Sequence, residues 1–127
     1  MMEGIIDHLS IQCVDVTISA SFYDAVLGPL GGRRLMEDGS AVGFGIPPRP
    51  TLWLGPCTSG AGFRETHIAF KAPDRDAVAS FFDAAVATGA EVLHAPRVWP
   101  EYHPSYFGAF VRDPDGNNVE AVCLTPG

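Results

Sequence analysis

The chain repeats itself once, and that repeat constrains its fold more than any other feature. Residues 8–25 read HLSIQCVDVTISASFYDA and residues 67–84 read HIAFKAPDRDAVASFFDA, in register at an offset of 59 with no gap. His8 falls on His67 and Asp15 on Asp74. Ser21-Phe22-Tyr23-Asp24-Ala25 falls on Ser80-Phe81-Phe82-Asp83-Ala84. Helix composition places an occasional Phe or Ala by accident. It does not supply a His, an Asp and a Ser-Phe-x-Asp-Ala run in one register. Two related modules are therefore expected, over 1–58 and 64–127, each completing the other's core within one domain.

Each module reads as β-α-β-β-β. Residues 5–14 alternate and carry Ile, Val and Cys, as a strand does. Asp15 offers an N-cap to a helix over 17–27, with Ile18, Phe22, Val26 and Leu27 toward the core. Gly28-Pro29-Leu30-Gly31-Gly32 ends it. Strands follow at 33–37, 41–46 and 51–55, separated by Glu37-Asp38-Gly39-Ser40 and Pro47-Pro48-Arg49-Pro50. The second module starts with a strand at 65–72. Its helix runs from Pro73-Asp74 to about 88, with Val78, Phe81, Phe82, Ala85 and Val86 inward. Strands at 91–94, 106–112 and 118–124 complete it, and Asp113-Pro114-Asp115-Gly116-Asn117 turns between the last two. Residues 56–64 are the linker. The class expected is α+β, two tandem βαβββ modules forming a curled mixed sheet around one pocket, with helices on the outer face.

Composition narrows the function. The 46% of apolar residues suffice for a core, and the net charge of −7 comes without any Lys/Arg cluster. A nucleic-acid binder needs a basic face, so that class is disfavoured, as is an anionic membrane surface. No run approaches the roughly 18 apolar residues of a membrane span. Met1-Met2-Glu3-Gly4 lacks a basic leader region, so a cytoplasmic protein is the default expectation. Cys13, Cys57 and Cys123 are odd in number and form no Cys-x-x-Cys, so they are read as strand or core residues rather than disulfides.

Strand alternation then groups the chemistry. His8, Ser10 and Gln12 share one face of the first strand, and His67, Ala69 and Lys71 share the matching face of its repeat. Glu120 and Val122 oppose Val119, Ala121 and Cys123 on the last strand. His8, His67 and Glu120 thus all lie away from the helices. If that face is concave they converge, and two imidazoles with one carboxylate hold a divalent metal while leaving positions open. A single strand His is more often a surface or core residue, and the three side chains could instead bond only one another.

The segment Trp99-Pro100-Glu101-Tyr102-His103-Pro104-Ser105-Tyr106-Phe107 places two Tyr and a His in one loop. His103 is a candidate general acid/base, with Tyr102 and Tyr106 bonding substrate. The alternative is an aromatic plug. His94 is expected to face solvent. Arg112 is read as holding a substrate anion or as a surface partner of Asp113 or Asp115. Phe44, Trp53 and Phe110 are read as pocket lining or as core. Asp115-Gly116 is turn chemistry.

These motifs resemble the glyoxalase / bleomycin-resistance / extradiol-dioxygenase superfamily, also called vicinal oxygen chelate proteins. The resemblance rests on Ile6-Asp7-His8-Leu9, Phe22-Tyr23-Asp24-Ala25-Val26-Leu27-Gly28, Thr66-His67-Ile68-Ala69-Phe70 and, most specifically, Phe110-Val111-Arg112-Asp113-Pro114-Asp115-Gly116-Asn117-Asn118-Val119-Glu120. It implies paired βαβββ modules, often in a homodimer with modules exchanged between subunits. It implies a metal held by His8, His67 and Glu120, the ion being iron, zinc, nickel or manganese. The fourth ligand position of the glyoxalase pattern falls on Trp53, which cannot ligate. The tyrosine of the dioxygenase pattern falls on Phe110. The activity implied is a metal-dependent lyase, isomerase or dioxygenase acting on a small molecule with neighbouring oxygens. The alternative is a metal-free drug-binding protein of the bleomycin-resistance type, in which Trp53, Phe44, Tyr102 and Tyr106 form an aromatic cleft and the acidic surface suits a cationic ligand.

Overall fold

A computed structural model describes residues 4–60 and 62–127. Most of the N-terminal segment read above, and Ala61 of the linker, lie outside the described residues. The first module runs β1 (Leu9–Cys13), α1 (Val16–Leu27), β2 (Arg33–Asp38), β3 (Ala41–Gly45) and β4 (Leu52–Pro56). The second runs β5 (His67–Lys71), α2 (Arg75–Ala87), β6 (Val92–Val98), β7 (Phe107–Arg112) and β8 (Asn118–Cys123). No helix among the described residues is long and apolar enough to cross a membrane.

The repeat in sequence is a repeat in space. Both helices begin on an aspartate whose carboxylate accepts a backbone N–H that the first turn leaves unpaired: Asp15 from Ile18 at 3.1 Å and Asp74 from Ala77 at 2.8 Å. The strand orders are β1-β4-β3-β2 and β5-β8-β7-β6. Each first strand pairs in parallel with the last strand of its own module, Ser10 opposite Trp53 and Ala69 opposite Glu120. Trp53 therefore occupies in module one the place that Glu120 holds in module two.

The α+β class and the tandem βαβββ modules are those expected. The two sheets stay open and separate, and among the described residues no strand of one is bonded to the other. The modules join instead through their helices, α1 packing on α2, and through a shared apolar core. Tyr23 of α1 is the junction. Its ring meets Phe44 of module one and Phe70 of module two. Its hydroxyl donates to Asp113 at 2.7 Å. Asp113 also accepts from the backbone of Asp115 and Asn117 and from the Asn117 amide. Asp115 accepts from Val14 N–H at 2.8 Å and from the Ser19 hydroxyl at 3.0 Å. The β7–β8 turn, read above only as turn chemistry, is thus a latch that fastens module two to module one.

Several core assignments need correction. Ile18 and Val86 are exposed, because each helix buries the side facing its neighbour and these two residues lie at its margin. Phe44 is fully buried, which agrees with the core reading and not with the pocket one. Its partner across the sheet is Leu52, on the helix side, whereas Gly43 and Trp53 share the opposite face. β6 runs to Val98 rather than stopping at 94, continuing through Pro96. Cys57 is exposed, while Cys13 and Cys123 are buried as expected.

Candidate functional site

Parallel pairing of β5 with β8 brings His67 and Glu120 onto the sheet face away from the helices. Glu120 is only 1% exposed. A buried carboxylate is tolerable only when its oxygens find donors. One oxygen lies 2.8 Å from His67 Nε2, and the other accepts from the Tyr106 hydroxyl. Burial first, and then this bond to Glu120, push the Tyr106 phenol well above its ordinary range. It therefore stays a proton donor at neutral pH.

Aromatic rings surround the pair. Phe110 lies 5.9 Å from His67 and 5.2 Å from Trp99, centroid to centroid. Tyr102 stacks on Trp99 at 5.8 Å, nearly parallel at 13°, and meets Tyr106 edge-on at 5.2 Å. The Arg97 guanidinium sits 3.4 Å from the Trp99 ring centre. Trp99 Nε1–H donates to the Gly108 carbonyl at 3.1 Å, which ties the 99–107 loop to β7.

The other expected site residues are more scattered. His8 is exposed, its Nδ1 2.7 Å from Asp7, whose second oxygen takes Arg49. It does not join His67 and Glu120, and among the described residues no three His, Cys, Asp or Glu side chains converge as for a metal. The two sheets' polar faces point away from their common core, so one chain does not fold His8 onto module two. Trp53 is half-buried on the polar face of module one, its ring over Gly43, where a Cβ would lie 3.0 Å from three ring carbons. His103 is exposed, and its Nδ1 accepts the Ser105 N–H at 2.9 Å. Arg112 requires correction. Its guanidinium pairs with Glu65 at 3.0 Å and Glu91 at 3.8 Å and donates to the Gly116 carbonyl, not to Asp113 or Asp115. Already neutralised, it lines a cleft of about 720 Å³ on the helix side, with Ile18, Phe22 and Ala90.

The family model described as Glyoxalase-like domain matches residues 8–122. The chain belongs to that family. A comparison with curated proteins finds no match. Among solved structures, this glyoxalase-like domain is similar to a glyoxalase/bleomycin resistance protein from Albidiferax ferrireducens, with 25% identity and a TM-score of 0.81, over 92% of this chain and 97% of that one. It shares its fold with a lactoylglutathione lyase from Agrobacterium tumefaciens at 22% identity and TM-score 0.70, covering 95% and 94%. It also shares its fold with a genomically encoded fosfomycin resistance protein from Listeria monocytogenes, solved with Mn(II) and 1S,2S-dihydroxypropylphosphonic acid. That match has 18% identity and TM-score 0.70, covering 98% and 93%.

Sequence reasoning missed some neighbours of the glyoxalase-like site. His94 is exposed, as expected, yet its ring also packs edge-on against Trp99 and Phe110, at 4.9 and 5.5 Å. Its pairing with Phe110 was hidden by register shifts along β6. Asn118, opposite His67 across β5 and β8, has a buried side-chain oxygen with no partner. Gly108 gave no signal, because its role is the space it leaves.

Proposed function

We propose that this glyoxalase-like domain is a divalent-metal-dependent enzyme, a lyase, isomerase or dioxygenase, acting on a small substrate that offers neighbouring oxygens. The observation that carries this reading is the buried Glu120 carboxylate beside His67 Nε2. An imidazole nitrogen at the surface beside the oxygen of a buried carboxylate is the donor chemistry of a divalent cation. They make up two of the three ligands expected. The third, His8, lies apart within one chain, so a second copy would supply it in a homodimer. The ion, when bound, would withdraw electron density from the substrate's oxygens.

The chain's own residues have separate parts. His67 and Glu120 bind the ion. Phe110, Trp53 and Tyr102 offer rings to the substrate's apolar body. Tyr106 is the hydroxyl nearest the carboxylate. His103 keeps Nε2 available for proton transfer, since Nδ1 is held by Ser105. The fold shared with a manganese-bound fosfomycin resistance protein and a lactoylglutathione lyase supports this reading.

Elemental mass spectrometry tests it, on untagged protein purified without chelator and then reconstituted anaerobically. About one ion per chain, lost in His67→Ala and Glu120→Gln, is expected. No bound metal, or binding that survives both substitutions, overturns the reading. The alternative, metal-free capture of a cationic drug-like molecule, is favoured by the ring ladder around Trp99 and the net charge of −7. It predicts binding that chelators leave unchanged.

A further inference from the structure

We propose that Tyr106 is a positioning residue that holds one oxygen of Glu120, so that the carboxylate meets a cation through its other oxygen alone. This rests on the metal-dependent reading of the same site.

The geometry makes the division of labour explicit. Glu120 has two oxygens and no solvent. Tyr106 engages one and His67 the other. A cation entering beside His67 would reach the His67-facing oxygen, while Tyr106 continues to donate to its neighbour. Partners of this kind fix the orientation of a ligating group and raise its fitness for the metal.

The backbone is arranged to permit the contact. Gly108 faces Tyr106 and Glu120, and a Cβ there would lie 3.2 Å from the Tyr106 ring and 3.4 Å from the Glu120 carboxylate. A side chain at 108 would make the Tyr106 ring give by a few tenths of an ångström, enough to strain its hydroxyl's contact with Glu120. The loop that carries Tyr106 is itself tied down. Trp99 N–H donates to the Tyr106 carbonyl at 2.7 Å, and Tyr106 N–H donates to the His103 carbonyl at 3.1 Å. The Trp99 indole N–H, bonded to the carbonyl of Gly108, fixes the loop to the strand at that same glycine. Three features of one short stretch thus converge on placing a single hydroxyl against Glu120.

The test uses the full chain, stripped of metal. Mn(II) affinity is read by electron paramagnetic resonance of the free ion. The Glu120 side-chain carboxyl is read by ¹³C NMR of glutamate-labelled protein, assigned by its loss in Glu120→Gln. Tyr106→Phe keeps the ring and removes the hydroxyl. Gly108→Ala keeps the hydroxyl and displaces it. Tyr23→Phe, on the helix side, controls for loss of a buried phenol hydroxyl elsewhere. Both site variants are expected to weaken Mn(II) binding by about 10- to 100-fold. The Glu120 resonance should move in the metal-free protein, and Tyr23→Phe should do neither. Wild-type affinity retained in Tyr106→Phe overturns the proposal while leaving the metal reading intact. An unmoved Glu120 resonance in Tyr106→Phe removes the contact on which it is built. Failure of the wild-type protein to bind Mn(II) overturns the metal reading itself.

Discussion

Removing the hydroxyl of Tyr23 tests whether the β7–β8 turn truly fastens the modules together. Tyr23 is fully buried, and its hydroxyl lies 2.7 Å from an Asp113 carboxylate that is itself 5% exposed. Tyr23→Phe leaves the ring contacts with Phe22, Phe44 and Phe70 in place. It opens almost no cavity, so the loss is one hydrogen bond to a charged acceptor, about 1.5–3 kcal/mol. Asp113 keeps the donors from Asp115 and Asn117, which places the expected cost near the lower end, about 2 kcal/mol. For a domain of this size that corresponds to a fall in Tm of roughly 5–10 °C. Urea unfolding followed by tryptophan fluorescence, with far-UV circular dichroism alongside, reads the change. The midpoint should fall, the slope should hold, and the two probes should remain coincident. A change below about 0.5 kcal/mol is the size of an ordinary surface substitution and would refute the latch.

Three further outcomes are expected. One thiol per native chain, Cys57, should react promptly with a disulfide reagent, while Cys13 and Cys123 react only on unfolding. Fast labelling of more than one would show that the core is open. Burial, partly offset by the Ser19 hydroxyl and reinforced by the nearby Asp115 and Asp113, raises the Cys13 thiol from 9.0 to about 11. The folded chain then holds a proton that the unfolded chain has released. Its contribution is therefore full below pH 9 and is lost as pH rises toward 11, and denaturant titrations in Cys13→Ala should show a shallower alkaline decline. Finally, a Cβ at Gly45 would lie 2.1 Å from the Arg49 carbonyl, which is backbone and has little room to yield. Gly45→Ala should cost about 1–3 kcal/mol, measured as above, and a neutral result would mean that the 46–50 loop is free to move.

Much of this architecture could be read from the amino acids, and for a definite reason. The 59-residue offset aligned a His, an Asp cap and an apolar stripe at once, so each module vouched for the other. The Trp53–Glu120 equivalence came from setting Thr51-Leu52-Trp53-Leu54 on Asn118-Val119-Glu120-Ala121, an offset of 67, and the parallel registers of β1/β4 and β5/β8 repeat it. The alternation of β5 and β8 likewise brought His67 and Glu120 to one face. Elsewhere, local rules were overridden by context. β6 runs past its expected end at 94 and through Pro96, because it is the edge strand of its sheet and carries register shifts, where a missing N–H costs little. Phe44 was placed with Trp53, but antiparallel pairing sets it opposite Leu52, one residue out of phase and hence on the other face. Arg112 found Glu65 and Glu91 rather than its sequence neighbours, because the termini of β5 and β6 are brought beside it only by folding. The separation of His8 from His67 has the same origin. It depends on how two helices pack, and neither helix records that in its own periodicity.

Among the described residues every strand pair is made within its own module, and the stretch between Pro56 and His67 joins the two covalently. The peptide link is mainly a tether, anchored to β1 where Gln12 donates to the Ser59 hydroxyl and accepts from the Thr58 N–H. A chain cut between Thr58 and Arg64 would yield two fragments, each with its whole sheet and one helix. Tyr23 would belong to one fragment and Asp113 to the other. Such halves are built for complementation. Mixed in solution, they should find each other through the α1–α2 face and close on that buried hydroxyl–carboxylate bond. What the linker contributes is concentration, holding each half within reach of the other.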